Sequence, residues 1–287
     1  MSKMRAVLFF LLLLHGAASA MTKKSINIWA HTPQLPGTRV MMEVTIPDKP
    51  NGTALIICPG GSYHHLGVFN EGRSTAKWFS SRHVATFLLC YRTAQDNYHY
   101  PAMMQDVQRA FQLVREHADD YGLDAAKVGI IGFSAGGHLA VWAGALGGKK
   151  DELAGMGIQT NVSLRPNFVI PVYPVVSMQD DIAHQWSRRS LLGRAPSQEQ
   201  KDAFSMEMQI PADMPPTYLV ACKDDPVVPF ENSVRLYEAL QSARVDSSFA
   251  VYEKGGHGFG MQTYKIPSRK YHWDEQLAAW LEERGFL

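Results

Sequence analysis

Six short apolar runs recur along the chain, at residues 54–58, 85–91, 128–133, 168–173, 217–222 and 248–252. Short apolar runs bounded by Gly, Pro or Asp are the pattern of strands buried on both faces. Between them the residues repeat at helical spacing, over 71–82, 101–119, 137–146 and 231–243, and again over 271–284 after the last run. In 101–119, Met103, Val107, Ala110, Phe111 and Val114 fall on one face behind a proline in the first turn, where a missing N–H costs nothing. Strand and helix in alternation imply a mostly parallel, twisted sheet with helices on both faces, since a parallel crossover needs a helix to carry the chain back. Ligands of such sheets sit beyond the carboxyl ends of the strands. Residues 177–210 break the alternation. They are polar, carry Trp186 and Leu191-Leu192-Gly193, and are too long for an ordinary connection, so an inserted loop or cap is expected there.

The chemistry falls at those strand ends. Gly132-Phe133-Ser134-Ala135-Gly136 fits the G-x-S-x-G pattern, with a strand running into Ser134 and a helix leading out from Gly137. The bare pattern is short enough to arise by chance, so the context carries the argument. A serine on so sharp a turn needs small residues two positions away on each side, where strand and helix approach, and Gly132 and Gly136 supply them. The following helix points free N–H groups and its positive end at the serine. A serine nucleophile also needs a base and donors for an oxyanion. Gly255-Gly256-His257-Gly258-Phe259-Gly260 offers one histidine after the last apolar run, and Asp224-Asp225 follows the run before it. Spacing alone leaves those two acids equal. The order serine, acid, histidine differs from that of trypsin-like and subtilisin-like enzymes. Pro59-Gly60-Gly61-Ser62-Tyr63, directly after the run ending at Cys58, can present N–H donors from Gly61 or Ser62, completed by Ala135.

The segments CPGGSY (58–63), CYR (90–92), YPAMMQDVQRA (100–110), GFSAGGHLA (132–140), YPVVS (173–177), SRRSLLG (187–193), DDPVVP (224–229) and GGHGFG (255–260) resemble the α/β-hydrolase esterases of the acetyl-xylan-esterase and feruloyl-esterase-like group, relatives of the hormone-sensitive-lipase family. The resemblance runs from about residue 54 to the C-terminus. It implies an α/β-hydrolase fold and a Ser134, Asp225, His257 triad, and its spacing selects Asp225 over Asp224. It further implies a serine esterase removing short acyl groups, chiefly acetyl, from a carbohydrate through an acyl-enzyme, with no cofactor and no metal. Tyr63 and Trp186 are the expected substrate contacts, with Trp186 stacking on a sugar ring. Two departures stand out. The lipase relatives open the oxyanion loop with His where this chain has Pro59, and their third glycine is Ser62 here, which leaves the donors open by one residue. A lipase or peptidase of the same fold, or a catalytically silent carbohydrate-binding relative, are the alternatives.

The remaining features narrow the setting. The chain has 287 residues, 46% hydrophobic and 19% charged, enough for one large domain with a sizeable core. Its net charge is +1, and the first 20 residues contribute only Lys3 and Arg5, so nothing attracts nucleic acid. The doublets Lys149-Lys150 and Arg188-Arg189 read as solvated faces. Lys3 and Arg5, the apolar run 6–14 and Ala18-Ser19-Ala20 have the layout of a secretory signal over 1–20, ahead of a catalytic domain at 21–287. Secretion or periplasmic export is expected, without a stable membrane anchor, because the apolar run is too short to span a bilayer. Cys58, Cys90 and Cys222 end apolar runs and read as buried thiols, a Cys58–Cys90 bridge being the alternative. Asp106 is expected to serve as an ion-pair or hydrogen-bond partner on its helix, His138 as a packed helix residue, His64 and His65 as rim residues, and Tyr91 and Tyr173 as packing.

Overall fold

Among the residues the structure describes, 21–261 and 272–287 of a computed structural model, eight strands form one sheet. The leader expected over 1–20 and the start of the helix expected over 271–284 lie outside them. The strands are β1 (Thr22–Asn27), β2 (Met41–Ile46), β3 (Ala54–Cys58), β4 (Ala85–Leu89), β5 (Val128–Phe133), β6 (Val169–Val172), β7 (Thr217–Cys222) and β8 (Ser247–Tyr252), in the order β1-β2-β4-β3-β5-β6-β7-β8. From β4 to β8 every pairing is parallel; β1 and β2 extend the sheet antiparallel at one edge. This is the α/β-hydrolase fold.

The helices are α1 (Ser74–Ser80), α2 (Ala102–Glu116), α3 (Ala135–Leu146), α4 (Gln185–Leu192), α5 (Gln198–Phe204), α6 (Glu231–Ser242) and α7 (Trp273–Glu283). Side chains alternate along each strand, so the sheet divides the core in two. Ala54, Ile56 and Cys58 of β3 face one cluster with Met103, Val107 and Phe111 of α2 and Trp142 of α3. Leu55 and Ile57 face the other, with Phe79 of α1 and Trp273 and Leu277 of α7.

The segment 177–210 holds α4 and α5, the latter opened by a capping box in which Ser197 Oγ accepts the Gln200 N–H at 3.2 Å and Gln200 Oε1 accepts the Ser197 N–H at 2.9 Å. All three cysteines are free thiols, and burial pushes Cys90 up to about 11. Asp106 is fully buried, and its partners come from outside its helix. Its carboxylate accepts the Trp29 indole N–H at 2.7 Å, the Arg92 backbone N–H at 2.7 Å and the Arg92 guanidinium at 2.9 Å. Arg109 turns away from it, to the carbonyl of Ile28 at 3.0 Å. No helix of the described residues is long and apolar enough to cross a membrane.

Candidate active site

The segments singled out for chemistry leave the same end of the sheet, residues 59–63 after β3, Ser134 after β5, Asp224 and Asp225 after β7, and His257 after β8, and Tyr173, expected as packing, leaves it there after β6. Ser134 has φ +53° and ψ −119°, a strained conformation for a residue with a Cβ. The glycines beside it make the turn possible. A Cβ on Gly132 would overlap the Gly136 carbonyl oxygen, and one on Gly136 would overlap that of Cys58. Gly60 lies as close on the other side, where a Cβ would come within 2.8 Å of both the Phe133 oxygen and Ser134 Cβ.

His257 Nε2 is 2.9 Å from Ser134 Oγ, and its Nδ1 is 2.6 Å from Asp225 Oδ2. Because a carboxylate only accepts, Nδ1 carries the ring proton and Nε2 is left to accept the serine hydroxyl. The other Asp225 oxygen accepts the N–H groups of Val227 at 2.8 Å and Val228 at 3.0 Å, which fixes the carboxylate that orients the ring. Asp224 does something different: its Oδ1 accepts the N–H groups of Gly255 at 3.0 Å and Gly256 at 2.8 Å and so braces the loop that carries His257.

Among the described residues, the N–H groups of Gly61, Ser62 and Ala135 donate to no protein acceptor, whereas that of Gly60 is taken by Glu71 Oε2 at 2.7 Å. Ser62 and Tyr63 both have left-handed φ, +58° and +57°. That double turn sends the Tyr63 ring inward, which corrects its expected role as a substrate contact. The side chain is fully buried and its hydroxyl donates to His138 Nδ1 at 2.8 Å. His138 Nε2 in turn donates to the Phe204 carbonyl at 2.8 Å, and burial lowers its pKa to about 4. It is a neutral core histidine joining α3 to the segment after β6.

Trp186, by contrast, is exposed to 48%, at the rim, with its ring 5.3 Å from that of His64 and 5.8 Å from that of His65. His64 and His65 both donate their backbone N–H to the Gly61 carbonyl at 2.9 Å, so the indole borders the 59–63 loop.

The sequence gives no sign of the part Glu71 plays. It reads there as an acid at a helix N-terminus, an ordinary helix signal. In the structure, residues Val68–Arg73 form a π-helical turn that buries Glu71 behind the 59–63 loop. Its Oε1 accepts the Tyr173 hydroxyl at 2.8 Å, and that hydroxyl accepts the Gly260 N–H at 3.0 Å. Burial pushes the Glu71 carboxyl above its ordinary range, with the Tyr173 and Gly60 hydrogen bonds opposing. The Tyr173 ring lies 4.6 Å from that of His257. Among the described residues no cluster of His, Cys, Asp and Glu has the grouping of a metal site.

Comparison with known proteins adds family to geometry. Residues 42–240 match the family model described as BD-FAE. An acetylxylan esterase of Xylanibacter ruminicola is 30% identical over 250 residues, covering 85% of this chain and 48% of that protein. Endo-1,4-beta-xylanase B of Butyrivibrio fibrisolvens is 32% identical over 207 residues, 71% of this chain and 32% of that one. The chain thus spans about half or less of the length of these curated relatives. The crystal structure of an acetyl ester-xyloside bifunctional hydrolase from Caldicellulosiruptor lactoaceticus superposes with a TM-score of 0.82 at 29% identity, covering 95% of this chain and 99% of the other.

Proposed function

The chain belongs to the BD-FAE family, and on that premise we propose that it is a carboxylic ester hydrolase removing short acyl groups, acetyl first among them, from carbohydrates. The observation that carries the reading is the continuous hydrogen-bonded path from Ser134 Oγ through His257 to Asp225, at 2.9 and 2.6 Å. His257 Nε2 takes the proton as Ser134 Oγ attacks the ester carbonyl, and Asp225 steadies the imidazolium that results. The free N–H groups of Gly61, Ser62 and Ala135 receive the oxyanion of the tetrahedral intermediate. The sugar alcohol leaves with the proton from His257. Water, deprotonated by the same ring, then releases the acyl group from Ser134.

Gly60 is not an oxyanion donor in this reading, because its N–H is committed to Glu71. A carbohydrate as the alcohol is supported by the exposed indole of Trp186 beside the 59–63 loop and by the xylan-directed names of the relatives. The leader-like first 20 residues support a secreted or periplasmic site of action, which N-terminal sequencing of the mature protein tests.

The test of the whole reading is acetate release from acetylated xylo-oligosaccharides beside a series of 4-nitrophenyl esters of increasing chain length. Release of acetate, with kcat/KM falling as the acyl chain lengthens, is the expected result. Equal or better turnover of long-chain esters, or none of the acetylated saccharide, would overturn it.

A further inference from the structure

A cavity of about 530 Å³ opens where α4 meets the 59–63 loop, with His64, Asn97, His99, Trp186, Arg189 and Arg194 in its wall and no Asp or Glu. Trp186 and Arg189 stand three residues apart on α4 and so share a face. The helix ends at Gly193, whose φ of +88° turns the chain so that Arg194 returns to the same cavity.

The doublet Arg188-Arg189, which in the sequence reads as one solvated face, divides in the structure. Arg188 is engaged, by Asp180 at 2.6 Å, by Gln185 Oε1 at 2.7 Å and by the Met178 carbonyl at 2.8 Å. Among the described residues the guanidinium groups of Arg189 and Arg194 have no carboxylate or hydrogen-bond partner, and both residues are exposed. Two guanidiniums without such partners on the wall of one cavity, beside an exposed indole, suit a sugar ring that lays its C–H face on the indole and carries a carboxylate. The cavity also lies close to the chemistry. His64, in its wall, donates its backbone N–H at 2.9 Å to the carbonyl of Gly61, in the loop that offers the oxyanion donors.

We propose that this cavity is a subsite for a uronate residue of the acylated saccharide, with Trp186 against the sugar ring and Arg189 and Arg194 on its carboxylate. The assignment rests on the carbohydrate-ester reading and names a substrate class within it: acidic, branched acylated oligosaccharides over neutral ones. A neutral sugar can meet the indole but offers the guanidiniums only hydroxyls, so the charge is what separates the two.

Two arms test it. In the first, calorimetry compares the binding of an unacetylated xylo-oligosaccharide carrying one glucuronate branch with that of the same oligosaccharide unbranched. The branched probe is expected to bind about 10-fold tighter at low salt, an advantage that shrinks as NaCl is added. It should vanish in Arg189→Gln/Arg194→Gln and survive in part in Arg189→Lys/Arg194→Lys. Single variants Arg189→Gln and Arg194→Gln, each expected to lose part of the advantage, cover a double variant that fails to fold. Equal binding of the two probes, an advantage retained in the glutamine variants, or free glucuronate or inorganic phosphate binding as tightly as the branched probe would each overturn the subsite.

In the second arm, acetylated forms of both probes are compared by their ratio of kcat/KM, which is expected to favour the branched one by a similar factor. Hydrolysis of both without preference removes the subsite and leaves the esterase. Preferred binding of the branched probe with no hydrolysis of any ester removes the esterase and leaves the subsite.

Discussion

Glu71 and Tyr173 share a buried hydrogen bond of 2.8 Å that ties together the two loops on either side of Ser134. Through the Glu71 carboxylate the bond reaches Gly60, and through the Tyr173 hydroxyl it reaches Gly260, three residues past His257. The pair therefore sets how far the N–H groups of the 59–63 loop stand from the histidine, and both of its side chains are buried. Rate should depend on it more than binding does.

Glu71→Ala and Tyr173→Phe should each lower kcat on 4-nitrophenyl acetate by about 10-fold or more, with a smaller change in KM. Their effects should not add in the double variant, since each breaks the same link. Glu71→Gln, which keeps an acceptor for Gly60, should recover part of the loss. Additive losses, or changes confined to KM, would show that the link is packing alone.

The two adjacent acids should separate cleanly. Asp225→Asn removes the acceptor that fixes the His257 tautomer and should cost about 10³- to 10⁴-fold in kcat. Asp224→Asn keeps an oxygen for the Gly255 and Gly256 N–H groups and should cost far less. Steady-state kinetics of the two variants side by side decide it, and equal losses would contradict the assignment.

Folding stability should carry the imprint of His138. Its pKa falls from an ordinary 6.5 to about 4 in the native state, so between those values the unfolded chain binds a proton that the native one refuses. Stability from this group is therefore complete above about pH 6.5 and is lost as the pH falls toward 4, by about 3 kcal/mol in all. Tyr63 and the Phe204 carbonyl, the groups bonded to its ring, stay neutral throughout that range. Glu71, raised by burial, works in the opposite direction, losing stability as pH rises through its native pKa. Urea unfolding of wild type and His138→Gln across the range should give a flatter profile for the variant, and parallel profiles would refute the linkage.

What the chain discloses before folding follows from burial. The strands β3 to β7 are enclosed on both faces and announce themselves as continuous apolar runs. The two antiparallel strands, β1 and β2, escape that reading. β2 alternates between half-buried and buried residues, and most of β1 is exposed and polar. At the site, Ser134 and His257 are legible because their glycines are. Tyr63 and Glu71 are not, since their positions depend on left-handed φ at two non-glycine residues and on a π-helical turn, neither of which leaves a mark in residue type.

Trp186 provides the substrate-side prediction. Under the proposed function its ring is the contact for the alcohol half of the ester, so Trp186→Ala should lower the ratio of kcat/KM for an acetylated xylo-oligosaccharide to that for 4-nitrophenyl acetate by about 10-fold, equivalent to about 1.4 kcal/mol. An unchanged ratio would return the indole to loop packing.

The central claim, that Ser134 is the nucleophile of an ester hydrolase, is tested most directly by the turnover of 4-nitrophenyl acetate by Ser134→Ala. The expected result is a kcat lower by about 10³-fold or more with the thermal unfolding transition intact, because alanine keeps the turn and removes only the attacking oxygen. A well-folded variant that retains most of the wild-type rate would contradict it.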